Sequence, residues 1–271
     1  MAEINAKDVM KLRNATGLAM MECKKALTEA DGDPEKAEEL LRKKLKGKME
    51  KRSDRAAGEG RVTVKVAGDN SSAVIIELKA ETDFTAKNDN FGETIDKLAE
   101  LALAQPAGKV EPTPEMLEIV DNIKVTTGEN ISIGRIEKVD TAEGVVFGSY
   151  VHHDNKTAVL LIGQGDVNDE TLRKVGMHVT SAVPRPLGVS EDEIPADMVE
   201  KEKAFRISQA VESGKPQEIA EKMVEGGMKK FFAEVALLEQ KFVMDESQRI
   251  KDVVAPGTIT QFYRWSVGEE A

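Results

Sequence analysis

The sequence predicts an α+β fold. Three observations carry that reading: three short helical patterns within the first fifty residues, a strand–turn–strand–helix pattern that occurs twice, and a late pair of helices separated by a Gly-x-Pro turn. Strands and helices that run in blocks, without strict βαβ alternation, point to α+β packing over a doubly wound sheet.

Asn5 can cap a first helix through about Ala15, with Val9 and Leu12 on its apolar face and Gly17 as its stop. Met20, Cys23, Ala26 and Leu27 follow at helical spacing, ending at the turn Asp31-Gly32-Asp33. Asp33 and Pro34 open a third helix with Ala37, Leu40, Leu41 and Leu45 on one side. Together these make a small bundle at 1–52. A basic run (Arg42, Lys43, Lys44, Lys46, Lys48, Lys51, Arg52, Arg55) leads into a linker at 53–58. Long charged side chains are mostly solvated, so the run reads first as helix surface; a contact with an acidic partner is the alternative.

The middle of the chain is an internal repeat. Glu59-Gly60-Arg61-Val62, Asp69-Asn70 and Ala73-Val74-Ile75-Ile76 return as Glu143-Gly144-Val145-Val146, Asp154-Asn155 and Ala158-Val159-Leu160-Leu161. Each copy reads as two strands around an Asx turn. A helix follows each: about Asn90 to Gln105 in the first and Asp169 to Val183 in the second. Another helix from Pro114 and a strand over Ile131 to Val139 lie between. Two core subdomains are expected, 59–142 and 143–271. After Pro184 and Pro186, helices over 197–213 and 216–235 meet at Ser213-Gly214-Lys215-Pro216, an αα-hairpin. One carries Phe205, Ile207, Ala210 and Val211 as a stripe; the other carries Ile219, Met223, Val224, Met228, Phe231 and Phe232. A strand from Thr258 to Val267 ends the fold.

Composition narrows the function. A chain of 271 residues with net charge −11 and 4% aromatics lacks the basic, aromatic-bearing face that nucleic acid requires. The single Cys23 rules out an internal disulfide and fits a reducing, cytosolic setting. Neither a signal peptide nor an apolar run long enough for a membrane span is legible. No catalytic constellation assembles. His152 and His153 are neighbours on an expected strand and would face opposite ways, so they cannot share a metal. Cys23 has Lys24 and Lys25 beside it, but its place on the apolar face reads as a core thiol. Phosphate-loop, GxGxxG and G-x-S-x-G patterns are missing. One loop stands apart: Thr82-Asp83-Phe84-Thr85-Ala86-Lys87-Asn88 sets a lone aromatic among polar residues. The second copy has Gly165-Asp166-Val167-Asn168-Asp169 there, so the frame itself does not need a Phe. Phe84 either folds back onto the sheet or stands out as an interface anchor.

Several longer segments fall in one order: TGLAMMECKKALTEADGD at 16–33, TDFTAKN at 82–88, GENISIGR at 128–135, GSYVH at 148–152, MHV at 177–179 and SGKPQEIAEKMVEGGMKKF at 213–231. In that order they resemble the elongation factor Ts family, bacterial guanine-nucleotide exchange factors of the GTPase elongation factor Tu. The likeness covers nearly the whole chain. It implies a ubiquitin-associated-like N-terminal domain, a two-part core, a protruding coiled-coil hairpin at about 197–235, no cofactor and no covalent chemistry. The implied partner is elongation factor Tu, with a homodimer allowed within the complex and no contact with membrane or nucleic acid. In the family the N-terminal domain and the TDF loop contact the GTPase domain, and the second core subdomain contacts the partner's third domain. Carried over, Met20 and Met21 are contacts of the first domain. Thr82, Asp83, Phe84 and Lys87 form the partner-binding loop, with Asp83 and Phe84 prying at the nucleotide and Mg site, and His152 serves the second subdomain. Adjacent helical residues diverge by about 100°, so Met20 and Met21 cannot both be core.

Three departures from the family pattern matter. Thr85 stands where Val is usual. Gly226-Gly227 replaces a Gly and a basic residue, loosening that helix by up to about 1 kcal/mol. The sequence stops at Ala271, where many relatives continue into a helix that also touches the GTPase. Exchange needs no acid or base, only tighter binding to the nucleotide-free GTPase, which by linkage weakens nucleotide binding equally. A modifier-binding scaffold built on the first bundle leaves the TDF loop and the repeat unexplained. RNA binding through the basic run is disfavoured by the acidity.

Overall fold

A computed structural model describes residues 4–50, 54–214 and 216–269. Lys51 and Arg52 of the basic run, Ser53 of the linker and Lys215 of the hairpin turn lie outside the described residues, as do the side chains of Arg42, Leu45, Lys46 and Lys48.

Three helices open the chain: α1 (Ala6–Thr16), α2 (Met20–Glu29) and α3 (Pro34–Glu50). Their ends follow cap chemistry. Asn5 Oδ1 accepts from the Asp8 N–H at 2.9 Å, Gly17 stops α1 at φ 68°, and Asp33 Oδ1 accepts from the Glu35 and Lys36 amides. Val9, Leu12, Cys23, Ala26, Leu27, Ala37 and Leu41 form their core. Leu40, expected inside, is exposed. The Lys43 and Lys44 ammonium groups pair with Glu39 and Glu29 on the surface, as a solvated run should.

Next come β1 (Glu59–Val66), β2 (Ser72–Ala80), α4 (Asp83–Lys87), α5 (Asp89–Leu103), β3 (Gly108–Lys109), α6 (Pro114–Thr127) and β4 (Ser132–Asp140). These strands hydrogen-bond in the order β1-β2-β4-β3. Then follow β5 (Val145–Val151), β6 (Thr157–Gln164), α7 (Asp169–Ser181), α8 (Ala196–Glu212), α9 (Gln217–Val235), β7 (Lys241–Phe242), β8 (Asp245–Arg249), α10 (Ile250–Val254) and β9 (Thr258–Ser266). Strands β5, β6 and β9 make an antiparallel sheet with Ser149 opposite Leu160 and Leu160 opposite Tyr263.

The chain divides into two compact units. The first comprises Met1–Arg61, Ile76–Glu137 and Val267–Ala271, and the second Val62–Ile75 and Lys138–Ser266. In the first, α3 and α5 both pack on α6, and Val125 of α6 reaches the core of the three opening helices. In the second, Val159 and Leu161 of β6 meet Leu172, Val175 and Val179 of α7, with Phe242, Ile250 and Ile259 closing the cluster. α8 packs on α9, and Phe231 and Phe232 pack beside Ile194, Val235 and Ala236. The stripes expected on these two helices are only partly covered: Ala210 is buried, whereas Phe205, Ile207, Val211 and Ile219 are exposed. α9 runs unbroken through Gly226 and Gly227.

Both copies of the repeat make the same turn, offset by 85 residues (152 − 67, 155 − 70). The Asn70 amide donates to Ala67 O and Asn155 to His152 O, while the Ala67 amide donates to Ser72 O and His152 to Thr157 O. Asp69 and Asp154 each accept from the amide two residues on. Asn70 and Asn155 sit at φ 61° and 58°, the left-handed region that Asn tolerates.

Among the described residues, no helix is long and apolar enough to cross a membrane, and no group of three His, Cys, Asp or Glu side chains could hold a metal ion.

His178 is nearly fully buried in the second unit. Its Nδ1 accepts from the Val243 amide at 3.3 Å, so Nε2 carries the proton and donates to Gln240 Oε1 at 2.9 Å. Burial pushes its pKa below the ordinary value of 6.5, with the Gln240 bond opposing in part. The unfolded chain therefore takes up this proton at a higher pH than the folded one. Stability should be complete above about pH 6.5 and fall as pH drops below it, by at most about 1.4 kcal/mol per pH unit for one proton. Urea unfolding at pH 7.5 and 5.5 checks this. The wild type should lose more stability over that step than His178→Gln, and equal losses would refute the assignment.

Candidate partner-binding site

The segment 82–88 is not an open loop. Thr82 sits in extended backbone and its Oγ1 accepts from the Thr85 amide at 3.3 Å, which caps the single-turn helix α4. Asn88 ends α4 and caps α5 through its Oδ1, which accepts from the Asn90 amide at 2.9 Å. The sequence reading of a loop is corrected for this reason: two cap residues six positions apart enclose one helical turn. Asp83 lies in the first turn and Lys87 in the last, each where the helix dipole favours its charge, and their side chains pair at 2.7 Å.

On this turn Ala86 is buried and Phe84 is 84% exposed. Folding of Phe84 back onto the sheet does not occur. In the shorter segment of the second copy, Val167 is buried in the core with Leu172 and Val175 of α7.

Residues distant in sequence hold α4. The Glu129 carboxylate accepts from Thr82 Oγ1 and Thr85 Oγ1 at 2.6 Å each, and from the Thr82 amide at 3.1 Å. Next to it, Glu81 accepts from the Asn130 amide at 2.6 Å, so residues 81–82 and 129–130 are stitched in both directions. Glu129 reaches this place because α6 stops at Gly128 (φ 73°) and Thr127 Oγ1 accepts from the Glu129 amide. At the other end Arg61 donates through Nε to Ala86 O and through a terminal nitrogen to Asn88 O at 3.4 Å. Neither Glu129 nor Arg61 was legible as part of this site. Glu129 stood only inside the GENISIGR segment, and Arg61 only at the start of the repeat.

Thr82, Asp83, Phe84 and Lys87 are therefore brought together on one turn. Met20 and Met21 share the first turn of α2 and are both exposed, at 48% and 63%. Met20 follows the helical spacing of Cys23, and the sequence leaves open which of the two methionines is exposed. The apolar face is filled by Cys23, Ala26 and Leu27, and Leu18 precedes the helix to complete it. His152 lies in the second unit, just past the end of β5. It and His153 do not alternate across a strand: the Asn155 turn starts at His152, and the two rings lie 4.3 Å apart, tilted. His152 Nδ1 is 3.1 Å from the Tyr150 hydroxyl. In the first copy the same turn position is Ala67, so the turn itself has no need of an imidazole.

Among the described residues, the arrangement holds no acid–base or nucleophile pair around a cleft. It displays a large ring and two thioethers, side chains suited to entering a protein surface. A family model described as Elongation factor TS matches residues 81–269. Elongation factor Ts of Actinobacillus succinogenes is 43% identical over 272 residues, covering 99% of this chain and 93% of that relative. Elongation factor Ts of Photobacterium profundum and of Haemophilus ducreyi are each 42% identical, over 275 and 272 residues, with the same coverage. With this identity sustained over nearly its whole length, the chain belongs to the elongation factor Ts family of translation elongation factors.

Proposed function

We propose that the chain is a cytoplasmic guanine-nucleotide exchange factor that binds elongation factor Tu and drives GDP release by inserting α4 near the nucleotide and Mg site. The observation that carries the reading is Phe84: a ring 84% exposed on a turn braced from both ends. An exposed aromatic costs the free protein solvation and returns it only when a partner pocket closes on it. If that pocket exists only in the opened GTPase, the burial energy is differential between nucleotide-free and nucleotide-bound states. Such a difference is what a population shift requires. Asp83 and Lys87 would flank the ring, and Thr82 would set the angle of entry.

Met20 and Met21, at the start of α2, would extend the contact from a ubiquitin-associated-like domain over 1–52. His152, placed where the first copy has Ala67, would meet the third domain of the GTPase from the second core subdomain. The helical hairpin would stay peripheral to exchange. No covalent step and no cofactor enter this mechanism.

Release of a fluorescent GDP analogue from elongation factor Tu tests it. Substoichiometric protein should accelerate release many-fold, and the chain alone should neither retain nor hydrolyse nucleotide. Tight nucleotide binding by the isolated chain, or release unchanged at saturating protein, would overturn the proposal.

A further inference from the structure

A helix of five residues cannot hold itself in water, because nucleation costs more than one turn of hydrogen bonds returns. The order of α4 must therefore come from its surroundings, and two charged side chains supply it. Glu129 accepts from the Thr82 amide and from the Thr82 and Thr85 hydroxyls at the N-terminal end, and Arg61 donates to the Ala86 and Asn88 carbonyls at the C-terminal end. Each charge also has the sign that its end of the helix dipole favours. Thr82 Oγ1 already accepts from the Thr85 amide, so its own proton is committed to Glu129. Cap and carboxylate thus fix each other. The departure at Thr85 gains a meaning here: its hydroxyl gives Glu129 a bond that the usual Val could not make.

We propose that Glu129 is a positioning residue for nucleotide release: it orders α4 so that Phe84 is presented outward before the partner arrives. Glu129 touches no nucleotide and acts through Phe84, so the inference rests on the reading of Phe84 as the wedge. Hydrogen bonds to a charged acceptor are among the stronger ones, and three of them converge on one carboxylate.

Four variants test it, with GDP release from elongation factor Tu titrated to give a maximal rate and a half-saturating concentration. Glu129→Ala should lower the maximal rate by on the order of tenfold, the loss expected from strong charge-assisted bonds. Thr85→Val, which keeps the shape and removes one hydroxyl, should lower it by about two- to threefold. The double variant Phe84→Ala/Glu129→Ala should be no slower than about twofold below Phe84→Ala, since residues acting as one unit are not additive. In the free protein, amide exchange at Thr85 to Lys87 should quicken by about tenfold or more in Glu129→Ala. A purely structural role would make the two losses multiply. That outcome, an unaltered maximal rate in both Glu129→Ala and Thr85→Val, or unaltered amide exchange, overturns the proposal. Should Glu129→Ala not fold, Thr85→Val alone decides through the same two readouts. If instead Phe84→Ala leaves release untouched, the wedge reading fails, and the amide exchange still decides whether Glu129 orders the turn.

Discussion

Phe84→Ala should cut the maximal rate of GDP release by on the order of tenfold or more and leave the thermal melt of the free protein within about a degree or two of wild type, because an exposed side chain contributes little to folding. The two halves of that result come from the same number. At 84% exposure the ring loses almost no contact when truncated in the free chain. Alanine also suits a helical turn slightly better than phenylalanine. In the proposed complex the balance should reverse. A buried aromatic covers about 150–250 Å², which at about 25 cal/mol per Å² sets an upper bound of roughly 4–6 kcal/mol. Measured interface anchors return about 2–4 kcal/mol of this, and about 1.4 kcal/mol already makes a factor of ten. On the proposed reading the loss should appear in the maximal rate more than in half-saturation, because the contacts proposed for Met20 and Met21 would remain to bind the nucleotide-bound GTPase. A rate per folded molecule equal to wild type would remove the wedge, and a melt lowered by many degrees would contradict the exposure of Phe84.

How much of this was legible depended on whether the determining chemistry was local. The repeat was legible because its turns are set by an Asp-Asn pair acting on its own backbone, and both pairs form the same turn. The break between α8 and α9 was legible because a Gly stop and a Pro start act within a few residues. α4 was not, since its Thr82 and Asn88 caps are local but the carboxylate that steadies it stands 47 residues away. The His152–His153 reading failed because strand periodicity says nothing about where a strand ends, and the turn takes His152 for itself. Periodicity likewise found the apolar stripes of the hairpin but not whether anything covers them, and Phe205 and Val211 proved open. β8 offered no pattern to find: Asp245–Arg249 is polar and exposed throughout.

The largest stability effect should come from a residue that no sequence pattern singles out. Glu77 lies in β2 with its side chain fully buried, Oε2 accepting from Arg135 Nε at 3.0 Å and Oε1 from the Gly268 amide at 3.2 Å. Gly134 makes room for it: a Cβ there would come within 2.5 Å of Oε2. A buried ion pair adds little net stability over a well-packed apolar pair, because its formation has already cost the desolvation of both charges. Removing one partner is different, since the carboxylate then stays inside with the Gly268 amide but without its opposite charge. Arg135→Ala should therefore lower the unfolding free energy by about 3–5 kcal/mol. Neutralising the stranded group should recover part of that loss, so Glu77→Gln/Arg135→Ala should be more stable than Arg135→Ala alone, a coupling of about 1–3 kcal/mol. Urea unfolding midpoints of the four proteins at one pH measure both quantities. An additive cycle, with the double variant as unstable as the two single losses summed, would show that the carboxylate does not depend on Arg135 for its place in the sheet.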